Sequence, residues 1–314
     1  MNLKDYNFSN PPNIYLSMTK DGYFALQKLL QAEKNIDLII SRPQEKSANI
    51  SDYIDFSPIA ESNDIPLLTT TKINTLGKRI DNLQPNLIIV NGWSELLSQK
   101  IIDLPRYGCV GTHPALLPKN RGRAPIAWHF LNQEKYGGVS LFYLDAGCDS
   151  GPIIDQVKFK IKPKDNASSY YQKITKLGAE LLLKHFDQLD QGSAKATPQN
   201  HTKATYLLKR RPQDSFLCFQ KSAQRVHNQI RAVSGVYPLG FFFYKKNKYL
   251  VLNSSLPAKI PLYSGVPGQI ARNTNKNLLV LCKKKLISLD SIVDKNKVPV
   301  NISQTFKVGD VLNE

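Results

Sequence analysis

One histidine and two aspartates stand where a chemical site could form. His113 follows a short apolar run at 108–112 and precedes Pro114 and a loop rich in Pro, Gly and Arg. Asp145 and Asp149 lie in the loop after a second apolar run, 139–144. An imidazole at the mouth of a sheet can take a proton from an attacking nucleophile or donate one to an oxyanion. A carboxylate beside it favours its protonated form. The loop after His113 adds three cations, Lys119, Arg121 and Arg123, which suit an anionic substrate. Arginine binds two phosphate oxygens with one planar fork. Arg123 or Lys119 fits that role before Arg121, which could instead pair locally as structure.

For these groups to meet, the chain must bring the two loops to one edge. A helical pattern at 126–132 separates the two apolar runs, so the stretch reads strand, helix, strand. Such a unit places its strands parallel and both loops at the carboxyl edge of the sheet, where open α/β sheets bind ligands. Upstream, strands are expected at 13–17, 36–40, 65–69 and 86–90, and helices at 23–32, 74–83 and 93–102. Their alternation predicts an α/β fold with a doubly wound parallel sheet. A long helix is expected at 167–189, then a small, polar linker at 190–203. Beyond it the pattern changes to one helix, 222–233, and short strands at 240–244, 249–253, 268–271, 278–282 and 286–289. These predict a smaller β-rich barrel, with Lys245–Lys248 as a hairpin turn. The expected domains are 1–189 (catalytic) and 204–314.

At 314 residues, 41% hydrophobic and 21% charged, the chain has the composition of a soluble two-domain protein. No signal-peptide core opens it and no run is long enough to span a bilayer, so a cytoplasmic location and no membrane partner are expected. Cys109, Cys148, Cys218 and Cys282 form no C-x-x-C pair, so neither zinc nor a disulfide framework is expected. The first strand–helix turn, Ser17 to Gly22, lacks the glycine fingerprint of dinucleotide sites, and no P-loop is present. The net charge of +17 is uneven. Residues 205–314 hold 18 Lys and Arg against 5 Asp and Glu, a net of +13, which suits a polyanion.

The residues His113, Leu116-Leu117-Pro118, Arg121-Gly122 and Asp145-Ala146-Gly147-Cys148-Asp149-Ser150-Gly151 resemble the signature of the folate-dependent formyltransferases. Later motifs extend the resemblance towards Val293: Ala204-Thr205-Tyr206, Lys209-Arg210-Arg211, Ile230-Arg231-Ala232-Val233 and Pro267-Gly268-Gln269-Ile270. It implies 10-formyltetrahydrofolate as formyl donor, an amine as acceptor, no metal, and His113 and Asp149 as the catalytic pair. It also implies an OB-type fold for the barrel. The register set by 104–109 puts Trp93, Ser94, Glu95 and Leu96 against the pteridine, with Asp145 on the opposite wall. There is one departure: the family usually has Asn two residues before the histidine, and this chain has Gly111. Either protonated His113 with a backbone N–H replaces the amide, or Thr112 or Asn91 does, or the chain is an inactive or RNA-binding relative. For the acceptor, the short loop after the second strand and the turn 121–125 favour a nucleotide-linked amino sugar, with methionyl-tRNA as the alternative. A homodimer is compatible with the sequence.

Overall fold

Three of the predicted strands are buried along their whole length, as the interior of a parallel sheet requires. The computed structural model describes residues 8–48, 50, 52–258 and 261–313. The chain divides into two units: one holds residues up to 125, 136–160 and 172–207, and the other holds 126–135, 161–171 and the chain from 208 onward.

In chain order the first elements are β1 (Asn13–Leu16), α1 (Lys20–Gln31), β2 (Leu38–Ser41), α2 (Ser57–Ser62), β3 (Leu67–Thr69), α3 (Gly77–Asp81), β4 (Leu87–Val90), α4 (Gln99–Ile102), β5 (Cys109–His113), β6 (Arg121–Gly122), α5 (Pro125–Leu131), β7 (Tyr136–Tyr143), β8 (Ile153–Lys160), α6 (Ala167–Asp190) and β9 (Tyr206–Leu207). The main sheet of the first unit runs β3-β2-β1-β4-β5-β7-β8. From β1 the chain winds out to β3, then returns to β4 and β5, so the winding reverses between β1 and β4. Helix α1 buries Gly22, Ala25, Leu26 and Leu29, the three-and-four spacing of one helical face.

The first five strands are parallel, as expected. The step from β5 to β7 is not: they pair antiparallel, with His113 opposite Ser140, and β8 is antiparallel to β7. Length gives the reason. A parallel crossover must carry the chain back along the strand, and a seven-residue helix such as α5 covers only about 10 Å. The helix expected at 93–102 is also shorter. Only Gln99–Ile102 is helical, and 93–98 is irregular.

Residues 190–203, expected as a linker, are packed onto the first unit. Asp190 Oδ1 accepts from Asn13 and Asn86 side chains at 2.7 and 2.9 Å. Thr197 and Ile153 exchange two backbone hydrogen bonds of 2.8 Å. Helix α6 is fixed to β8 through Asp155, whose Oδ2 lies 2.7 Å from Lys184 Nζ and 2.8 Å from His185 Nε2.

The second unit contains α7 (Ala223–Arg231), β10 (Gly240–Tyr244), β11 (Asn247–Ser255), β12 (Ile270–Asn273), β13 (Leu278–Leu281), β14 (Leu286–Asp294) and α8 (Ile302–Thr305). Its sheet is antiparallel throughout, in the order β10-β11-β14-β13-β12. Lys245 and Lys246, with φ of 48° and 66°, make the two-residue turn of the first hairpin. The segment 310–313 bonds to both edges of this sheet. Ile270 N–H reaches Asp310 O, Leu312 N–H reaches Gly268 O, and Asn313 N–H reaches Phe243 O. The tail thus covers edges that would otherwise expose unpaired backbone. Phe242, Val251, Ile287, Leu289 and Phe306 fill the interior with Val226 and Ile230 of α7.

Burial acts to raise the Asp155 carboxyl, but hydrogen bonds from Lys184, His185 and the Gln156 amide bring it down to about 2 from 3.8. The ion pair therefore stabilises the fold above that window and is lost as pH falls from about 4 to 2. Asp155→Asn is expected to lower stability at pH 7 by about 1 kcal/mol or less. Urea unfolding of both proteins should show the difference vanish at the acid end.

Candidate active site

His113 is 5% exposed at the end of β5. Its Nε2 lies 2.7 Å from the carbonyl oxygen of Asn120. A carbonyl only accepts, so Nε2 carries the hydrogen. That leaves Nδ1 without the hydrogen, and it faces Asp149 Oδ2 at 3.5 Å. The loop after His113 is pinned by Ser140, whose Oγ donates to Ala115 O at 2.6 Å and accepts from Leu117 N at 3.1 Å. Asp149 has φ of +51°, and its Oδ2 accepts the Gly122 N–H at 2.7 Å. Gly122 has φ of +101°, and a Cβ there would lie 2.5 Å from Leu207 O. Only glycine presents its N–H in that way.

His113 and Asp149 thus converge, although β5 and β7 are not parallel. The loop after β7 folds back so that Asp149 reaches Gly122. Asp145 is differently placed: its Oδ1 accepts from Gly147 N at 3.1 Å and Ser150 Oγ at 2.6 Å, closing the turn. The neighbouring Cys148 thiol is pushed up by burial and then by Asp149, which disfavours the reactive thiolate.

Arg121 is 1% exposed and is not available to a substrate phosphate. Its Nε and Nη2 donate to Gln199 Oε1 at 3.1 and 2.6 Å, and Nη1 donates to Tyr206 OH at 3.0 Å. Nη2 also lies 3.3 Å from His201 Nδ1, so that nitrogen must accept. The same Gln199 donates to Asp149 O at 2.9 Å and Gly151 O at 2.7 Å. One amide therefore ties the arginine loop to the aspartate loop. Nothing in the polar stretch around Gln199 marked it as part of a site. The pairing of β6 with β9 adds a second tie. Lys119 and Arg123 are exposed, and Arg123 Nη1 donates to Ser94 O at 2.9 Å.

A cleft of about 120 Å³ opens beside this pair, lined by Trp93, Leu96, Gly111, Phe142, Asp145 and Asp149 among others. Glu95 borders it, but its carboxylate accepts from Ile73 N at 2.9 Å and Asn74 Nδ2 at 3.2 Å, fixing the loop. Trp93 Nε1 is buried without a hydrogen-bond partner. The indole ring and the apolar side chains of the wall suit a flat ring. At Gly111 a Cβ would meet Val90 O and Leu144 Cδ1, each at 2.9 Å. Leu144 has taken the room of a side chain. The two candidate substitutes are committed to each other: Thr112 Oγ1 donates to Asn91 Oδ1 at 2.7 Å. Asn91 Nδ2 in turn lies 3.4 Å from Tyr15 OH.

Among the described residues no group of three or more His, Cys, Asp or Glu side chains could hold a metal. No helix there is long and apolar enough to cross a membrane. A family model described as "Formyl transferase" matches residues 25–186, and one described as "Formyl transferase, C-terminal domain" matches 209–308. A methionyl-tRNA formyltransferase from Kosmotoga olearia is 31% identical over 298 residues, spanning 92% of this chain and 93% of its own. The protein of that name from Acetivibrio thermocellus is 30% identical over 263 residues, 82% and 84% of the two chains. Eight curated relatives, 27 to 31% identical, share the name. Among solved structures, an N-formyltransferase from Helicobacter canadensis in complex with folinic acid and dTDP-3-aminofucose superposes with a TM-score of 0.67. It is 18% identical, over 90% of this chain and 99% of that one.

Two stability outcomes follow from this geometry. Gly111→Asn overfills the strand and is expected to cost about 1–3 kcal/mol, with part recovered by adding Leu144→Ala. Gln199→Ala strands the buried Arg121 and is expected to cost about 2–3 kcal/mol. Denaturant midpoints of the purified variants read both.

Proposed function

The chain belongs to the formyl transferase family, and we propose that it moves a formyl group onto the α-amino group of methionyl-tRNA. The formyl donor of this family is 10-formyltetrahydrofolate. The observation that carries the acceptor is the run of methionyl-tRNA formyltransferases covering most of the chain. It overturns the nucleotide-sugar acceptor expected from the sequence. The sugar formyltransferases among the solved structures are 18 to 21% identical to the chain, a level that speaks for the fold alone. One support of the sugar reading, the 121–125 turn, also weakens: Arg121 is buried. A tRNA acceptor further gives the +13 charge of residues 205–314 a polyanionic counterpart.

In this reading His113 Nδ1 takes the proton that the attacking amine loses and returns it to the departing nitrogen. Asp149, held by Gly122 N–H, favours the charged imidazole while the proton is there. The Asn120 carbonyl keeps the ring in the tautomer that leaves Nδ1 open. Trp93, Leu96 and the Asp145 turn wall the donor's ring. Gly111 offers no amide to the developing oxyanion. Protonated His113, with a backbone N–H, is the reading of that gap that the Thr112–Asn91 pairing leaves open.

The test is incubation with 10-formyltetrahydrofolate and methionyl-tRNA, with formylmethionine detected by mass spectrometry. Product is expected, with kcat reduced by about 10²–10⁴ in His113→Ala and strongly reduced in Asp149→Asn. The KM for tRNA should rise steeply with salt. Absence of product from methionyl-tRNA, with the protein folded, would overturn the acceptor.

A further inference from the structure

We propose that the second unit holds a binding site for a phosphate ester of nucleotide size, formed by α7, β11 and the residues that lead into α6. It does not depend on the formyl-transfer reading. A cavity of about 380 Å³ lies there, with Lys164, His227, Ile230, Arg231, Ser254 and Leu256 on its walls. That volume falls within the usual range for small-molecule sites.

The donors in the cavity are held in place without being used up. Arg231 Nη1 donates to Pro163 O at 2.9 Å, and its guanidinium lies 4.7 Å from the centre of the Phe130 ring. Its Nε is buried and has no hydrogen-bond partner. Burial disfavours the charge of this arginine and Asp165 acts the other way, and an arriving anion would add to that offset. His227, one helical turn earlier on the same face, is oriented by Ser254 Oγ, 2.9 Å from its Nδ1. Ser254 stands at a break in the pairing of β11 with β14, where the register shifts on both sides of Asn253. Such bulges re-aim a side chain and are common beside sites.

The sign of the ligand follows from what is committed. Asp165 is the one acid among the lining residues. Its carboxylate accepts from Lys162 N at 2.7 Å and Ser169 Oγ at 3.3 Å, closing the turn into α6. Ser234 Oγ donates to Ile230 O at 2.9 Å and Ser254 Oγ is engaged by His227, so Lys164, Arg231 and the exposed Ser255 remain to face a ligand. Donors that converge from three segments match a tetrahedral anion with several oxygens better than a planar carboxylate. Orthophosphate alone is small for the space, and Ile230 and Leu256 offer an apolar wall. A nucleoside monophosphate, free or as one unit of an RNA strand, has both halves of that chemistry.

Calorimetric titration of the full chain separates the cases, using the four 5′-nucleoside monophosphates and, separately, a short single-stranded oligoribonucleotide. Arg231→Gln removes the main cation but also its bond to Pro163, and can fail to fold. Lys164 is exposed, so Lys164→Gln keeps the test decisive. Saturable mononucleotide binding, weakened about five-fold or more in Lys164→Gln, is expected if the ligand is a free nucleotide. Binding of the oligoribonucleotide alone, with the same loss, assigns the site to RNA. Binding of neither, or binding unchanged in both variants, overturns the proposal.

Discussion

The hydrogen bond from His113 Nε2 to the carbonyl of Asn120 is the constraint on which the candidate site rests. It decides which ring nitrogen carries the proton, and so which one faces Asp149. The bond exists only if residues 114–122 keep one shape, and several unrelated contacts enforce that shape. Ser140 grips the loop from the neighbouring strand, Gln199 and Tyr206 hold Arg121 from further along the chain, and Gly122 gives its N–H to Asp149. A buried guanidinium is costly unless its donors are met. Here an amide, a phenol and an imidazole meet them, so the charge serves as a rigid post for the loop.

Much of the fold was legible because the physical signals were local. Short apolar runs bounded by turn residues placed β1, β2 and β4, and the change to punctuated short strands after residue 204 announced the antiparallel sheet of the second unit. Strand direction was not legible from pattern alone. A strand–helix–strand reading implies parallel pairing only when the helix is long enough to return the chain, and α5 is not. The helix expected at 93–102 failed for a related reason. Its apolar spacing is real, but Asn74 and Glu95 bond across to each other's loops, and those contacts hold 93–98 in an irregular path.

The candidate site was legible in His113 and Asp149, which identity and spacing singled out and the structure brings together. It was illegible where a backbone group or a distant amide does the positioning. Asn120 contributes a carbonyl that any residue could supply, and Gln199 sits in a stretch that reads as polar connection. Arg121 shows the opposite error. A cation beside a histidine and a carboxylate invites a substrate role, and only its burial reveals that it faces inward. Gly111 lies between these cases. The missing side chain was evident at once, but that Leu144 fills the space required the geometry.

The division of the chain into two units has a consequence for how it can be cut or recombined. Residues 126–135 and 161–171 belong with the unit that begins again at 208, so the backbone passes between the units five times. No single break leaves both bodies whole. A fragment ending near 190 would keep two stretches whose companions are gone, and a fragment starting near 208 would lack part of its own body. Exchange of one unit for that of a relative would need several matched junctions. The two bodies are therefore expected to change together over evolutionary time, each constrained by strands of sequence lodged in the other's span.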